Sequence, residues 1–158
     1  MTVALVVALS GCGGSSDTSG QDSVGNRAAK VSGDADPTDV KVIEGWVDTL
    51  RRGDVEGAAS YFAIPSVAQN GPELIRIRST KDAVLFNRTL PCGARLVEAE
   101  STGKFTTATF RLTERPGPGA CGPGVGTTAQ TAFVIENGKI AEWSRVAVGG
   151  PRAPSNSV

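Results

Sequence analysis

Between Arg95 and Val148 apolar and polar residues alternate in short runs broken by glycine-containing turns. A period of two places successive side chains on opposite faces of a strand and leaves no helical stripe. The spacing predicts strands over Arg95–Ser101, Lys104–Thr113, Thr127–Glu136 and Lys139–Val148. The second of these, KFTTATFRLT, is dense in β-branched and aromatic residues, which suit a pleated, half-buried surface. Thr102-Gly103 reads as a tight turn, and Asn137-Gly138 is the strongest hairpin signal in the chain. ERPGPGACGPGVG, between the second and third strands, is too crowded with proline and glycine for regular structure. A meander of this kind has one apolar face, and that face needs a cover.

The residues before it supply one. Pro37-Thr38-Asp39 reads as a helix entrance with Thr38 or Asp39 as cap, and Val42, Trp46, Val47 and Leu50 follow at helical spacing. Arg51-Arg52-Gly53 closes that helix with positive charge and a glycine, as the helix dipole favours. Asp54 is placed to cap a second short helix, Val55 to Phe62, which Pro65 stops. Ile64 to Pro72 reads as irregular, Leu74, Ile75 and Ile77 as a short strand, and Lys81 to Asn87 as a third helix capped by Thr80. The expected fold class is α+β, with N-terminal helices packed on a curved antiparallel sheet.

The first forty residues belong to neither layer. Thr2 to Leu9 is wholly apolar, but a helical bilayer span needs roughly 20 such residues, and this run has the length of a signal-peptide core. Leu9-Ser10-Gly11-Cys12 follows at once and resembles the bacterial lipobox, in which the cysteine is acylated and the chain is cut before it. No Lys or Arg precedes Cys12, so the translation start is expected upstream of Met1. Gly13 to Asp39 is rich in Gly, Ser and Asp and has no aromatic. It cannot bury enough apolar surface to offset its ordering entropy and reads as a flexible spacer. The expected organisation is a signal peptide over 1–11, a lipidated Cys12 and linker over 12–38, one domain over 39–148, and a loose tail over 149–158.

Composition narrows the chemistry. Sixteen Lys and Arg balance sixteen Asp and Glu, so no basic footprint points to nucleic acid. The chain has no histidine, which removes the commonest general base near neutral pH and the commonest metal ligand; neither a metal nor a cofactor is expected. With Cys12 acylated, Cys92 and Cys121 remain in an oxidising compartment, and their pairing is the simplest account. Such a bridge would contribute about 3–4 kcal/mol on the chain-entropy model. The alternative, a reactive thiol, lacks a cationic neighbour to activate it.

VIEGWVDTLRRGDVEGAASYFA near the start and FVIENGKIAEWSRV near the end are similar to the nuclear-transport-factor-2-like superfamily. The second stretch resembles the ending of the SnoaL-like polyketide cyclases, with Trp143 one residue earlier than in that ending. The middle of the chain, FNRTLPCGARLVEAE and FTTATFRLTERPGPGACGPG, resembles an actinobacterial group of small lipid-anchored members. The resemblance spans about Asp39 to Val148. It implies a cone, a bent sheet wrapped around helices with a pocket at the open end. Relatives use such pockets to isomerise, cyclise, dehydrate or bind small molecules, or they dimerise, and fold alone does not choose among these.

Trp46, Tyr61, Asn87, Gln130, Glu142 and Trp143 are the candidate pocket residues. Glu142 matches the family ending; it either points into the cone, where burial would raise its pKa, or faces solvent and pairs with Arg145 or Lys139. Asp48 sits beside the apolar stripe of the first helix and reads most simply as a solvated face. Tyr61, the sole tyrosine, reads as a core-edge aromatic. Arg76, Arg78 and Arg111 are anion binders or, more simply, outer-face residues. Asn87-Arg88-Thr89 fits a glycosylation sequon, read as incidental. GPGACGPGVG lacks the Lys-Ser/Thr ending of a phosphate loop. No residue is singled out as catalytic. The expected partners are a membrane, through the lipid anchor, and a small apolar ligand or an envelope protein. A homodimer is a further candidate assembly.

Overall fold

The computed structural model describes residues 30–31 and 35–147. The signal-like run, Cys12, most of the linker and the tail lie outside the described residues. Strand β1 (Lys30–Val31) is followed by α1 (Pro37–Arg51), α2 (Val55–Ala59), β2 (Phe62–Gln69), β3 (Leu74–Ile77) and α3 (Thr80–Thr89). Four long strands come next: β4 (Gly93–Thr102), β5 (Phe105–Thr113), β6 (Thr128–Glu136) and β7 (Lys139–Val146).

Two of the three helix starts are fixed by side chains one to three residues earlier than expected. Asp36, not Thr38 or Asp39, caps α1: its carboxylate accepts the Thr38 and Asp39 N–H groups at 2.7 and 3.4 Å. Pro37 occupies the first helical position, where its preset φ fits and its missing N–H is not needed. Ser79, not Thr80, caps α3 through the Asp82 N–H. Asp54 caps α2 as expected, accepting the Gly57 N–H at 2.8 Å. Gly53 ends the first helix at φ +85°, a backbone conformation that side chains disfavour.

All seven strands form one sheet in the order β1-β4-β5-β6-β7-β2-β3. The run β4 to β7 is the expected antiparallel meander. The Asn137-Gly138 turn takes positive φ at both residues, 52° and 72°, as a tight hairpin loop requires. The sheet as a whole is mixed rather than antiparallel. β2 lies parallel to β7, and β1, inside the expected linker, lies parallel to β4.

β2 also replaces two expectations. α2 stops at Ala59 instead of Phe62, and of the stretch from Ile64 to Pro72 that read as irregular, Ile64 to Gln69 is strand while Asn70 to Pro72 is the turn. Pro65 is tolerated because the β2–β7 register shifts between Phe62 and Val67, and a bulge has no ladder hydrogen bond for the missing N–H to break.

The concave face carries the core. Ile43, Trp46, Val47 and Leu50 of α1 pack against Phe62, Phe110, Phe133, Ile140 and Trp143 of the sheet, with Phe86 of α3 beside them. Trp46 is the hub, edge-on to Phe62, Phe110, Phe133 and Trp143 with centroids 5.7–6.4 Å apart, the geometry aromatic quadrupoles prefer.

The Pro/Gly loop after β5 is held from two sides. Cys92 and Cys121 are disulfide-bonded, as expected, with Cα atoms 4.5 Å apart. Arg115 is the one buried charged residue among the described residues. Its guanidinium donates to the Leu90 carbonyl at 2.7 and 2.9 Å and to the Pro116 carbonyl at 3.2 Å. These carbonyls include one just past the negative end of α3, which suits a cation. Burial draws its pKa downward from the ordinary arginine value, and a guanidinium keeps its charge in proteins.

Candidate functional site

The cone is neither fully open nor fully filled. Its inner part is packed with aromatics, but a cavity of about 110 Å³ remains toward the ends of β5 and β7. Trp46, Val47 and Leu50 of α1 form its helical wall, and Phe110, Leu112 and Trp143 form its sheet wall. Space is left because the strands present Ala94 and Ala129 here, both buried; methyl side chains cannot fill a volume bounded by large rings. Leu90, Pro91 and the disulfide-bonded Cys92 complete the lining on the α3 side.

The polar groups at this cavity are few. Arg145 and Asn70 line it while being exposed, so they stand at its rim. Thr131 is buried in the wall and pairs directly with Arg145 across β6 and β7. None of the lining residues is Asp, Glu or Tyr. Arg145 forms no ion pair or hydrogen bond among the described residues, so it is the single formal charge at the site.

The two tryptophans differ in one respect. The Trp46 Nε1–H donates to Asn87 Oδ1 at 2.9 Å. The Trp143 Nε1–H is buried and has no acceptor among the described residues. A buried indole N–H ordinarily finds a partner, and leaving one unpaired costs about 1–3 kcal/mol.

Three solved structures share this architecture. A candidate polyketide cyclase from Sinorhizobium meliloti matches 67% of this chain and 94% of its own, with a TM-score of 0.53 at 16% identity. A nuclear-transport-factor-2-like protein of unknown function from Cytophaga hutchinsonii matches 68% and 87%, with a TM-score of 0.52 at 7% identity. A candidate ketosteroid isomerase from Kribbella flavida matches 79% and 90%, with a TM-score of 0.50 at 16% identity. The chain has the nuclear-transport-factor-2-like fold. No family model and no curated protein sequence matches it, so the likeness extends to the fold and not to an activity.

Within the nuclear-transport-factor-2-like cone, the sequence candidates separate. Trp46 and Trp143 line the cavity together. Asn87 stands behind Trp46, wholly buried, with its Nδ2 donating to the Ala83 carbonyl at 2.8 Å. Its role in this fold is to hold an indole in place. The sequon around it is closed to modification in the folded chain, because the asparagine has no exposed surface.

Tyr61 is half-buried against the core edge and does not reach the cavity. Its ring lies so close to Gly45 that a Cβ there would come within 3.0 Å of several ring atoms. Gln130 is on the opposite face of β6 from Thr131 and bonds to Thr109 at 3.2 Å. Glu142 is on the opposite face of β7 from Trp143, where it pairs with Lys104 at 2.9 Å and not with Arg145 or Lys139. Lys139 donates to the Ser60 carbonyl instead. Asp48 pairs with Arg51 one turn on, half exposed.

Arg76, Arg78 and Arg111 are all exposed, and none of them lines the cavity. Arg111 donates to the Gly126 carbonyl. Arg76 and Arg78 border a shallower outer concavity of about 320 Å³ that also takes in Glu136 and Glu142, so its charges cancel. Arg145 was missed as a site residue. The signal was present: it follows Trp143 by two positions in a strand, so it shares that residue's inward face.

Among the described residues, no three of His, Cys, Asp and Glu are grouped to hold a metal, and no helix is long and apolar enough to cross a membrane.

Proposed function

We propose that this chain is an extracytoplasmic lipoprotein, anchored by acylation of Cys12, whose nuclear-transport-factor-2-like domain binds a small, mainly apolar ligand without transforming it. The observation that carries the binding half is the cavity itself: about 110 Å³, walled by two tryptophans and aliphatic side chains, with no carboxylate or phenol on its surface. Relatives named as cyclases and isomerases make an enzymatic reading the rival. What favours binding over it is the placement of acid–base groups. Proton transfer needs a group within hydrogen-bond reach of the substrate, and Glu142 and Asp48 are engaged with Lys104 and Arg51 outside the cavity.

Size bears on the ligand as well. A dry cavity of about 150 Å³ just accommodates benzene, so this one suits a body of about four carbons and is far too small for a fused-ring steroid or polyketide. Export is supported by the lipobox-like Leu9-Ser10-Gly11-Cys12 and by the Cys92–Cys121 bridge, since disulfides persist chiefly in oxidising compartments.

Two measurements test the proposal. Expressed in a bacterial host with a labelled fatty acid, the chain should incorporate label and partition with membranes, and Cys12→Ser should lose both. Xenon should produce saturable shifts in the methyl resonances of Val47 and Leu112, and Ala129→Leu, which fills the space, should remove them with the fold intact by circular dichroism. Unlabelled protein in the first experiment overturns the anchor. Absence of xenon binding in the second overturns the cavity as a ligand site.

A further inference from the structure

We infer that the ligand of this cavity is a small amphipathic anion, a monocarboxylate with an apolar tail of about four carbons. The inference deepens the binding reading above and rests on it.

The interior accepts an apolar body and nothing charged. Its walls are rings and aliphatic groups, and Ala94 and Ala129 make the space. Among the described residues the rim carries one formal charge, and it is positive. Arg145 lines the cavity, is exposed, and is matched by no carboxylate in the lining or in any ion pair of the described residues. A guanidinium presents paired donors in a fixed plane that match the two oxygens of a carboxylate. Polar groups flank it: the Asn70 side chain also lines the rim, and the Thr131 hydroxyl lies in the wall directly across the ladder.

Trp143 lines the same cavity, and its buried Nε1–H is without an acceptor among the described residues. That N–H has almost no accessible surface, so the carboxylate is assigned to Arg145 at the rim and not to the indole. The arrangement therefore has an apolar slot, a cation at the entrance, and no anion to compete for it. A neutral apolar ligand would leave Arg145 without a role, and an anion lacking a tail would leave the slot empty.

The test uses the full chain and three probes: isovalerate, its uncharged isostere isovaleramide, and acetate. Binding is followed by titration calorimetry and by the indole N–H resonance of Trp143. Isovalerate should bind about two- to fivefold more tightly than isovaleramide and more tightly still than acetate, and Arg145→Gln should remove that two- to fivefold factor for isovalerate alone, the range expected for an ion pair at an exposed rim. Arg145→Lys should recover part of it. Equal binding of isovalerate and isovaleramide, unchanged in R145Q, overturns the anion while leaving the cavity as a ligand site. Acetate binding as well as isovalerate reduces Arg145 to a surface ion contact and overturns the tail. If xenon enters and none of the three probes binds, the ligand class assigned here is wrong. If xenon is also excluded, the binding reading falls with it.

Discussion

Replacing Asn87 by alanine should destabilise the domain by about 2–3 kcal/mol, and the loss should be coupled to Trp46. Asn87 is wholly buried and is the only acceptor for the Trp46 Nε1–H among the described residues, at 2.9 Å. Removing it strands that donor in the interior, at about 1–3 kcal/mol. The lost bond from Nδ2 to the Ala83 carbonyl adds about 0.5–1.5 kcal/mol, and the better helix propensity of alanine in α3 returns about 0.5. For a domain of this size the net corresponds to a fall in Tm of about 8–12 °C.

Urea unfolding followed by far-ultraviolet circular dichroism measures it, and an unchanged m value would show that the native and denatured states keep their extents. The coupling comes from a double-mutant cycle with Trp46→Phe, which removes the donor. In that background Asn87→Ala should cost at least about 1 kcal/mol less than in the wild type. If Asn87→Ala costs under about 0.5 kcal/mol, or if the two substitutions are additive, the Trp46–Asn87 bond does not hold the hub of the core in place and the reasoning is wrong.

Removing the disulfide with Cys92→Ser and Cys121→Ser, a closed loop of 29-residue separation, should cost about 3–4 kcal/mol on the chain-entropy model; identical denaturation midpoints with and without reductant would refute this. Glu142→Gln breaks an exposed pair with Lys104 and should change stability by under about 1 kcal/mol and leave probe binding in the cavity unchanged; loss of binding would place Glu142 at the site after all. Asp82 has its pKa held below the ordinary 3.8 by the Arg78 backbone N–H, then by the Ser79 side chain. A folded-state pKa below the unfolded value gives stability that is present above pH 3.8 and lost as pH falls through the folded value. The stability gap between wild type and Asp82→Asn should therefore close in acid, and a gap that stays constant down that range would refute the assignment.

The local elements were legible because their signals lie in neighbouring residues. KFTTATFRLT alternates with period two and is β5; Val42 to Leu50 repeats at helical spacing and lies on α1; Asn137-Gly138 is the turn it reads as. β2 was not legible. Its FAIPSVAQ contains a proline and has little alternation, and it is a strand because β7, some seventy residues later, offers a parallel ladder with a bulge where the proline falls. No window around Pro65 contains that information.

The site divides along the same line. The sequence by itself determined a helix-covered sheet, the pairing of its last two cysteines once the first is set aside, and the two tryptophans as wall residues. Which carboxylates face the interior was decided only in three dimensions, because a bulge between β6 and β7 resets the alternation on which such a reading depends. Glu142 is thereby turned outward to Lys104, while Trp143 and Arg145 share the inner face. The cavity is likewise a tertiary fact. Ala94 and Ala129 are unremarkable in the chain, and they make an opening only because α1 brings the ring of Trp46 across from them, too rigid and too large to collapse into the space they leave.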